Sequence, residues 1–74
     1  MKALLFGMIA EKANASEIAV SANTTHALRL ELEQRISGLD RLSYSIAVDR
    51  LIVHDDVPLI GNEEVAVLPP FAGG

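Results

Sequence analysis

Residues 23–38 read NTTHALRLELEQRISG, and this stretch decides the fold because it holds the one clear helical pattern in the chain. Leu28, Leu32 and Ile36 recur at i, i+4 and i+8 with Ala27 beside them, which places an apolar stripe on one side of an amphipathic helix. Thr24 is the expected N-cap, since its hydroxyl can accept one of the unpaired N–H groups of the first turn. Val20 or Ala22 is placed to pack near Leu28. Glu31 and Arg35 sit at i, i+4 in the favourable order on the wet side. Leu30 falls outside the stripe, as rim or as contact surface. Gly38 is expected to stop the helix in the C′ position.

The flanks of this helix read as strands. Lys2 to Ile9 is nearly all apolar, the composition of a central strand covered on both faces. Ala10 to Ala15 carries Glu, Lys and Asn and reads as a turn. Glu17 to Val20 is then a second short strand, with Ile18 and Val20 on one side, so that the first two strands form a hairpin. After the helix, Tyr44 to Val48 alternates, with Tyr44, Ile46 and Val48 on one face and Ser45 and Ala47 on the other. Asp49-Arg50 turns into a strand at Leu51 to Val53, and His54 to Ile60 is irregular. Gly61-Asn62 is a turn signal, and Glu63 to Leu68 is the last strand with Val65 and Val67 inward. The order β-β-α-β-β-β with one helix across the sheet specifies an α+β fold, the ubiquitin-like β-grasp. Its mixed sheet pairs the first and last strands in parallel at the centre. Residues 1–68 are expected to form this domain and residues 69–74, Pro-Pro-Phe-Ala-Gly-Gly, a flexible tail.

Composition narrows the function. The 74 residues make one domain and contain no cysteine, which excludes a disulfide framework, a thiolate metal site and a cysteine nucleophile. The apolar share is slightly high for so small a chain and points to a surface that a partner buries. A net charge of −4 disfavours nucleic acid and anionic membrane as partners and suits a partner with a basic pocket. The start, Met1-Lys2 before ALLFGMIA, imitates a short signal peptide. Glu11-Lys12 intrudes before the cleavage site such a peptide would need, and no apolar run approaches the ~20 residues of a membrane span. The expected location is the cytoplasm.

The side chains offer little chemistry. His26 and His54 lie on different elements without metal-ligand spacing. Asp55-Asp56 and Glu63-Glu64 are adjacent pairs, which strand geometry turns to opposite faces. Arg29, Arg35, Arg41 and Arg50 are scattered. No phosphate-cradling glycine loop, Walker pattern or nucleophile elbow occurs. The distinctive group is the main-chain end, read as the α-carboxylate of Gly74. Glycine lacks a Cβ, so Gly73-Gly74 can thread a narrow channel, and Pro69-Pro70 stiffen the exit without donating hydrogen bonds. A carboxylate with a pKa of about 3.5 is a poor electrophile at neutral pH. Attack on the α-phosphate of ATP makes it a mixed anhydride with AMP. A sulfur nucleophile can then displace AMP and leave a C-terminal thiocarboxylate. From Leu68 onward the chain can span about 23 Å at ~3.3 Å per residue, with Phe71 a candidate anchor in the partner's channel. The bland alternative is an inert glycine tail.

The run AVDRLIVHDDVPLIGNEEVAVLPPFAGG, residues 47–74, resembles the C-terminal signature of the molybdopterin synthase small subunit (MoaD type). That signature has a strand ending in Val-Asn, a Pro-Leu turn, an acidic Gly-containing turn before Glu-Val-Ala, and then Pro-Pro, an aromatic or aliphatic residue, one further residue and Gly-Gly. LLFGMIAEKA at 4–13 is similar to the family's first strand and the Glu after it, and Thr24 to Leu28 to its helix opening. Asp49 stands where Asn is usual, and Asn62 where Gly is frequent. The resemblance implies a β-grasp sulfur carrier with no bound cofactor. Its Gly74 is adenylated with ATP by a ubiquitin-activating-like adenylyltransferase and then thiocarboxylated. Leu68, Pro69, Pro70, Phe71, Ala72 and Gly73 thread into the active site of the molybdopterin synthase large subunit. There Gly74 would deliver sulfur to cyclic pyranopterin monophosphate, usually within a heterotetramer, for molybdenum cofactor biosynthesis. The rivals are a ThiS-like carrier for thiamine synthesis, which less often has the Pro-Pro-Phe lead, a ubiquitin-like protein modifier, and a structural module with an inert tail.

Overall fold

The computed structural model describes residues 1–70. Its elements in chain order are β1 (Lys2–Leu5), α1 (Gly7–Ala13), β2 (Glu17–Ala19), α2 (Thr25–Arg35), a single 3-10 turn (Leu39–Arg41), β3 (Ser45–Val48), β4 (Leu51–Val53) and β5 (Val65–Leu68). They build one five-stranded sheet in the order β2-β1-β5-β3-β4. β1 and β5 pair in parallel, while the β1–β2, β3–β4 and β3–β5 pairs are antiparallel. This is the mixed sheet of the ubiquitin-like β-grasp, with the parallel pair central.

The helix that decides the fold forms as its stripe dictates. Leu28 and Leu32 are fully buried and Ile36 nearly so. They meet Ala3, Leu5, Val20, Ile46, Val65 and Val67 in a single core. Burying each such Leu, Ile or Val side chain is worth roughly 1.5–3 kcal/mol, which holds α2 on one face of the sheet. Thr24 caps it, its Oγ1 accepting from the Ala27 amide at 3.1 Å. The Glu31–Arg35 pair closes at 3.4 Å and also clamps the helix to the sheet. Glu31 accepts from the Ser21 amide at 3.2 Å, and Arg35 donates to the Ala19 carbonyl. One outer edge of the sheet, β2, is thereby covered.

Three sequence expectations are corrected. The apolar run 2–9 is a strand only to Leu5; Phe6 is extended, Gly7 has φ +55°, and the chain then enters α1. The turn foreseen at 10–15 is the end of that helix, closed by Asn14 at φ 55°, whose amide donates to the Ala10 and Glu11 carbonyls. Met8, Ala10, Glu11, Lys12 and Ala13 tolerate a helix well, and Ile9 points wholly into the core. β1 and β2 therefore pair as expected, but a helix rather than a tight turn joins them, and the fold carries two α-helices instead of one. Second, α2 ends at Arg35 with Ile36 as its cap; Gly38, at φ +83°, opens the 3-10 turn instead. Third, β5 begins at Val65, because the Glu63 carboxylate is engaged in its own loop. It accepts from the Ile60 amide at 2.7 Å and the Gly61 amide at 3.0 Å. Those amide donors, Ile60 first, hold its carboxyl below the usual range.

Candidate functional site

Leu68 is the last residue of the middle strand, and the register shows what surrounds it. It pairs with Ser45 on β3. On the other side Leu5 pairs with Val67, so the extended Phe6 falls beside Leu68 and Gly7 beside Pro69. Tyr44, one step beyond Ser45, falls in the row of Pro69 on the opposite flank. Pro69 is half-buried and Pro70 exposed. The site residues expected at Phe71, Ala72, Gly73 and Gly74 lie outside the described residues, so the site consists here of the root of the tail and its setting.

Tyr44 is itself held firmly in that row. Its ring is buried, its hydroxyl donates to Glu33 Oε2 at 2.7 Å, and the Arg29 guanidinium lies 4.7 Å from the ring centroid. Burial, then the adjacent Glu33 carboxylate, pushes the Tyr44 hydroxyl up to about 12, against the opposing pull of Arg29. The folded state thus holds this proton more tightly than the unfolded chain, in which a tyrosine titrates near pH ~10. The stabilisation is complete below pH ~10 and is lost as pH rises through about 12. Tyr44→Phe is expected to be less stable than the wild type by about 1–2 kcal/mol at pH ~8. The gap should close on the alkaline side, as paired urea titrations at increasing pH would read.

The face of the sheet away from α2 carries the second feature. Along the paired rows, Ile52, Ala47, Ala66 and Leu4 lie side by side, and Phe6, Leu68 and Ser45 form the next row toward the tail. Phe6 is 44% and Ile52 43% exposed; Leu4, Ala66 and Leu68 are half-buried. Ile9 of α1 and Leu28 and Leu32 of α2 enter the core on the opposite face, while Leu30 of α2 is 50% exposed. The strip is bounded by ion pairs, Lys2–Glu17 at 3.2 Å on one side and Arg50–Glu64 at 3.3 Å on the other. An apolar centre inside a charged rim is the anatomy of a protein interface, and this one runs to the point where the tail departs.

The histidines do not make a centre of their own. His26 and His54 line a cleft of about 110 Å³ with Arg29, Asp55 and Asp56. Asp56 is already committed there: its Oδ1 accepts from the His26 amide at 2.8 Å, capping α2 from across the fold. Thr25 is buried beside it, accepting from the Val57 amide at 3.0 Å. The reading of Asp55-Asp56 as an adjacent pair turned to opposite faces gives no sign of this cap, which no local spacing announces. Among the described residues no cluster of three or more His, Cys, Asp and Glu side chains is arranged to hold a metal ion. No described helix is long and apolar enough to cross a membrane.

The two departures from the family pattern find a physical reading. Asp49 and Arg50 take φ 50° and 72°, the left-handed pair of a two-residue hairpin turn, and Asp tolerates that region as Asn does. Asp49 further ties the hairpin to β5, its amide donating to the Glu64 carbonyl at 2.8 Å and its Oδ1 accepting from the Glu64 amide at 3.0 Å. Asn62 follows Gly61, and it is Gly61, at φ +112°, that takes the conformation requiring glycine.

Comparison with known proteins gives one family. The sequence model of the ThiS family matches residues 3–74. Among curated proteins none matches.

Proposed function

The chain belongs to the ThiS family of ubiquitin-like sulfur carriers, and from there we propose that it is the sulfur-donor subunit of a molybdopterin synthase. The observation that carries the choice within the family is the lead into the glycines, Leu68-Pro69-Pro70-Phe71-Ala72. Pro69 and Pro70 stiffen the departure from β5, and Phe71 offers a large apolar anchor ahead of two residues without side chains.

The chemistry assigned to the chain is that of its terminal carbonyl. An oxygen of the Gly74 carboxylate attacks the α-phosphorus of ATP on an adenylyltransferase, and pyrophosphate leaves. A persulfide of the sulfur donor attacks the resulting acyl carbon and AMP departs with that oxygen; a thiol then attacks the S–S bond of the acyl disulfide, leaving the thiocarboxylate and a disulfide on the donor. The loaded tail then enters the large subunit, whose site builds the dithiolene on cyclic pyranopterin monophosphate. The carrier contributes reach, a narrow tail and a docking face; the catalytic side chains belong to its partners.

The apolar strip of Leu4, Phe6, Ala47, Ile52, Ala66 and Leu68 supports the same reading. A partner that takes Gly74 into its interior must come within the length of the tail, about 20 Å from Pro69 at ~3.3 Å per residue. It therefore lies against the body where that strip ends.

The second reading is a carrier for the thiazole of thiamine, and the family match covers both roles. One experiment separates the two. The chain is incubated with ATP, its activating enzyme and a sulfur donor, and intact mass is followed for replacement of one oxygen by sulfur. The loaded protein is then offered either to the large subunit with cyclic pyranopterin monophosphate or to a thiazole-forming system. Dithiolene product in the first arm alone is the expected result. Thiazole in the second arm alone transfers the assignment to thiamine, and no mass shift with the cognate activator rejects the carrier role for this chain.

A further inference from the structure

We infer that Gly7 is a positioning residue for the root of the tail: its bare α-carbon is the seat of Pro69 and so sets the direction in which the chain continues to Pro70. The inference rests on the sulfur-carrier reading for its consequence, though not for its geometry.

The argument begins with what holds Pro69. A strand residue is normally aimed by ladder hydrogen bonds on both sides, and proline has no N–H to give. The pairings of β5 with β1 and β3 accordingly end with Val67 and Leu68. The next residue is aimed by contact alone. On the β1 side that contact is Gly7. A Cβ built on Gly7 would stand 3.2 Å from Pro69 Cγ and 3.9 Å from Pro69 Cβ, the first of these inside ordinary carbon–carbon contact of about 3.5–4.0 Å. On the β3 side the register carried one step past Ser45–Leu68 places Tyr44, itself held by Glu33 and Arg29, in the row of Pro69. Gly7 also has φ +55°, which turns the chain out of β1 into α1 at the level of Pro69. A glycine at this position therefore answers two demands, a left-handed backbone and a vacant place for the ring.

The two demands are separable by substitution. Asparagine tolerates φ near +55° but carries a Cβ, so Gly7→Asn tests the seat with little change in the backbone. Pro69→Ala removes the Cγ that this Cβ would meet. The measurements are kcat and KM for adenylation of the carrier by its activating enzyme, together with the amide resonances of Phe71 to Gly74 in the free protein. Gly7→Asn is expected to raise KM or lower kcat by about tenfold, because Pro69 must give by a few tenths of an ångström to admit the Cβ and a full shift of about 1 Å would cost on the order of 100-fold, and to shift the Phe71 amide. Its melting temperature should stay close to that of the wild type. Pro69→Ala alone should be mild, and the double variant Gly7→Asn/Pro69→Ala should recover to within about threefold of Pro69→Ala, a coupling of neighbours.

An unmoved Phe71 amide in Gly7→Asn overturns the seat. So does a defect that Pro69→Ala fails to relieve, since that assigns the effect to the backbone of residue 7. If the wild type itself is never adenylated, the carrier reading fails. The amide shift and its reversal in the double variant still decide the geometry.

Discussion

Removing Gly74, or appending a single residue after it, is expected to reduce sulfur loading by at least about 100-fold while the domain melts as before. The reacting carbon must come within about 3–3.5 Å of its target with the orbitals aligned, and a displacement of about 1 Å costs on the order of 100-fold. One residue more or less moves the carboxylate by about 3.3 Å, several times that tolerance. The body has no stake in the change, because the core is made of residues between Ala3 and Val67 and β5 ends at Leu68. Intact mass after incubation with ATP, activator and sulfur donor reads the loading, and a thermal melt of the same sample reads the fold. Loading at the wild-type rate in either variant would end the terminal-carbonyl mechanism. A lowered melting temperature in the truncated protein would show instead that the tail contributes to the fold.

How much of this was legible in the sequence differs by element, and for physical reasons. α2 was legible because its evidence is periodic and local: three residues at spacing four, a threonine three residues ahead of the amide it caps, an ion pair on the wet side. The β3–β4 hairpin was legible for the same reason, since Asp49-Arg50 is a two-residue connection between apolar stretches. α1 was not. LLFGMIA is apolar throughout, and such a run fits a buried strand or a buried helix equally well. The deciding fact is the positive φ of Gly7, which turns the chain out of the strand beside Pro69, a residue more than sixty positions along the chain. The Asp56 cap was hidden in the same way, since its partner amide belongs to His26. Of the site, the residues of the tail and its chemical logic came from the sequence. The strip beside it did not, because Leu4, Phe6, Ala47, Ile52 and Ala66 become one surface only when the register of four strands is known.

That surface carries the second large effect. Ala66 lies near the middle of the strip, flanked by Leu4 on β1 and Ala47 on β3. Ala66→Glu places a charge there without touching the core, since Val65 and Val67 alone of the strand's middle residues face α2. In the free protein the new carboxylate projects from the solvent-facing side, and surface substitutions of this kind stay within about 0.5 kcal/mol. In a docked complex the same carboxylate is stripped of water against apolar groups. An unpaired charge buried in an interface costs about 2–5 kcal/mol, and each 1.4 kcal/mol is roughly a factor of ten in affinity. Binding to the large subunit, followed by titration calorimetry, should therefore weaken by on the order of 30- to 4,000-fold while the melting temperature holds. Gln34→Glu supplies the control. Gln34 is exposed on α2, on the far side of the domain from the strip, and the substitution changes the net charge equally. It should bind as the wild type does if location, rather than total charge, governs docking. Equal weakening by both would make the effect one of long-range repulsion, and unchanged binding by Ala66→Glu would move the interface off this face altogether.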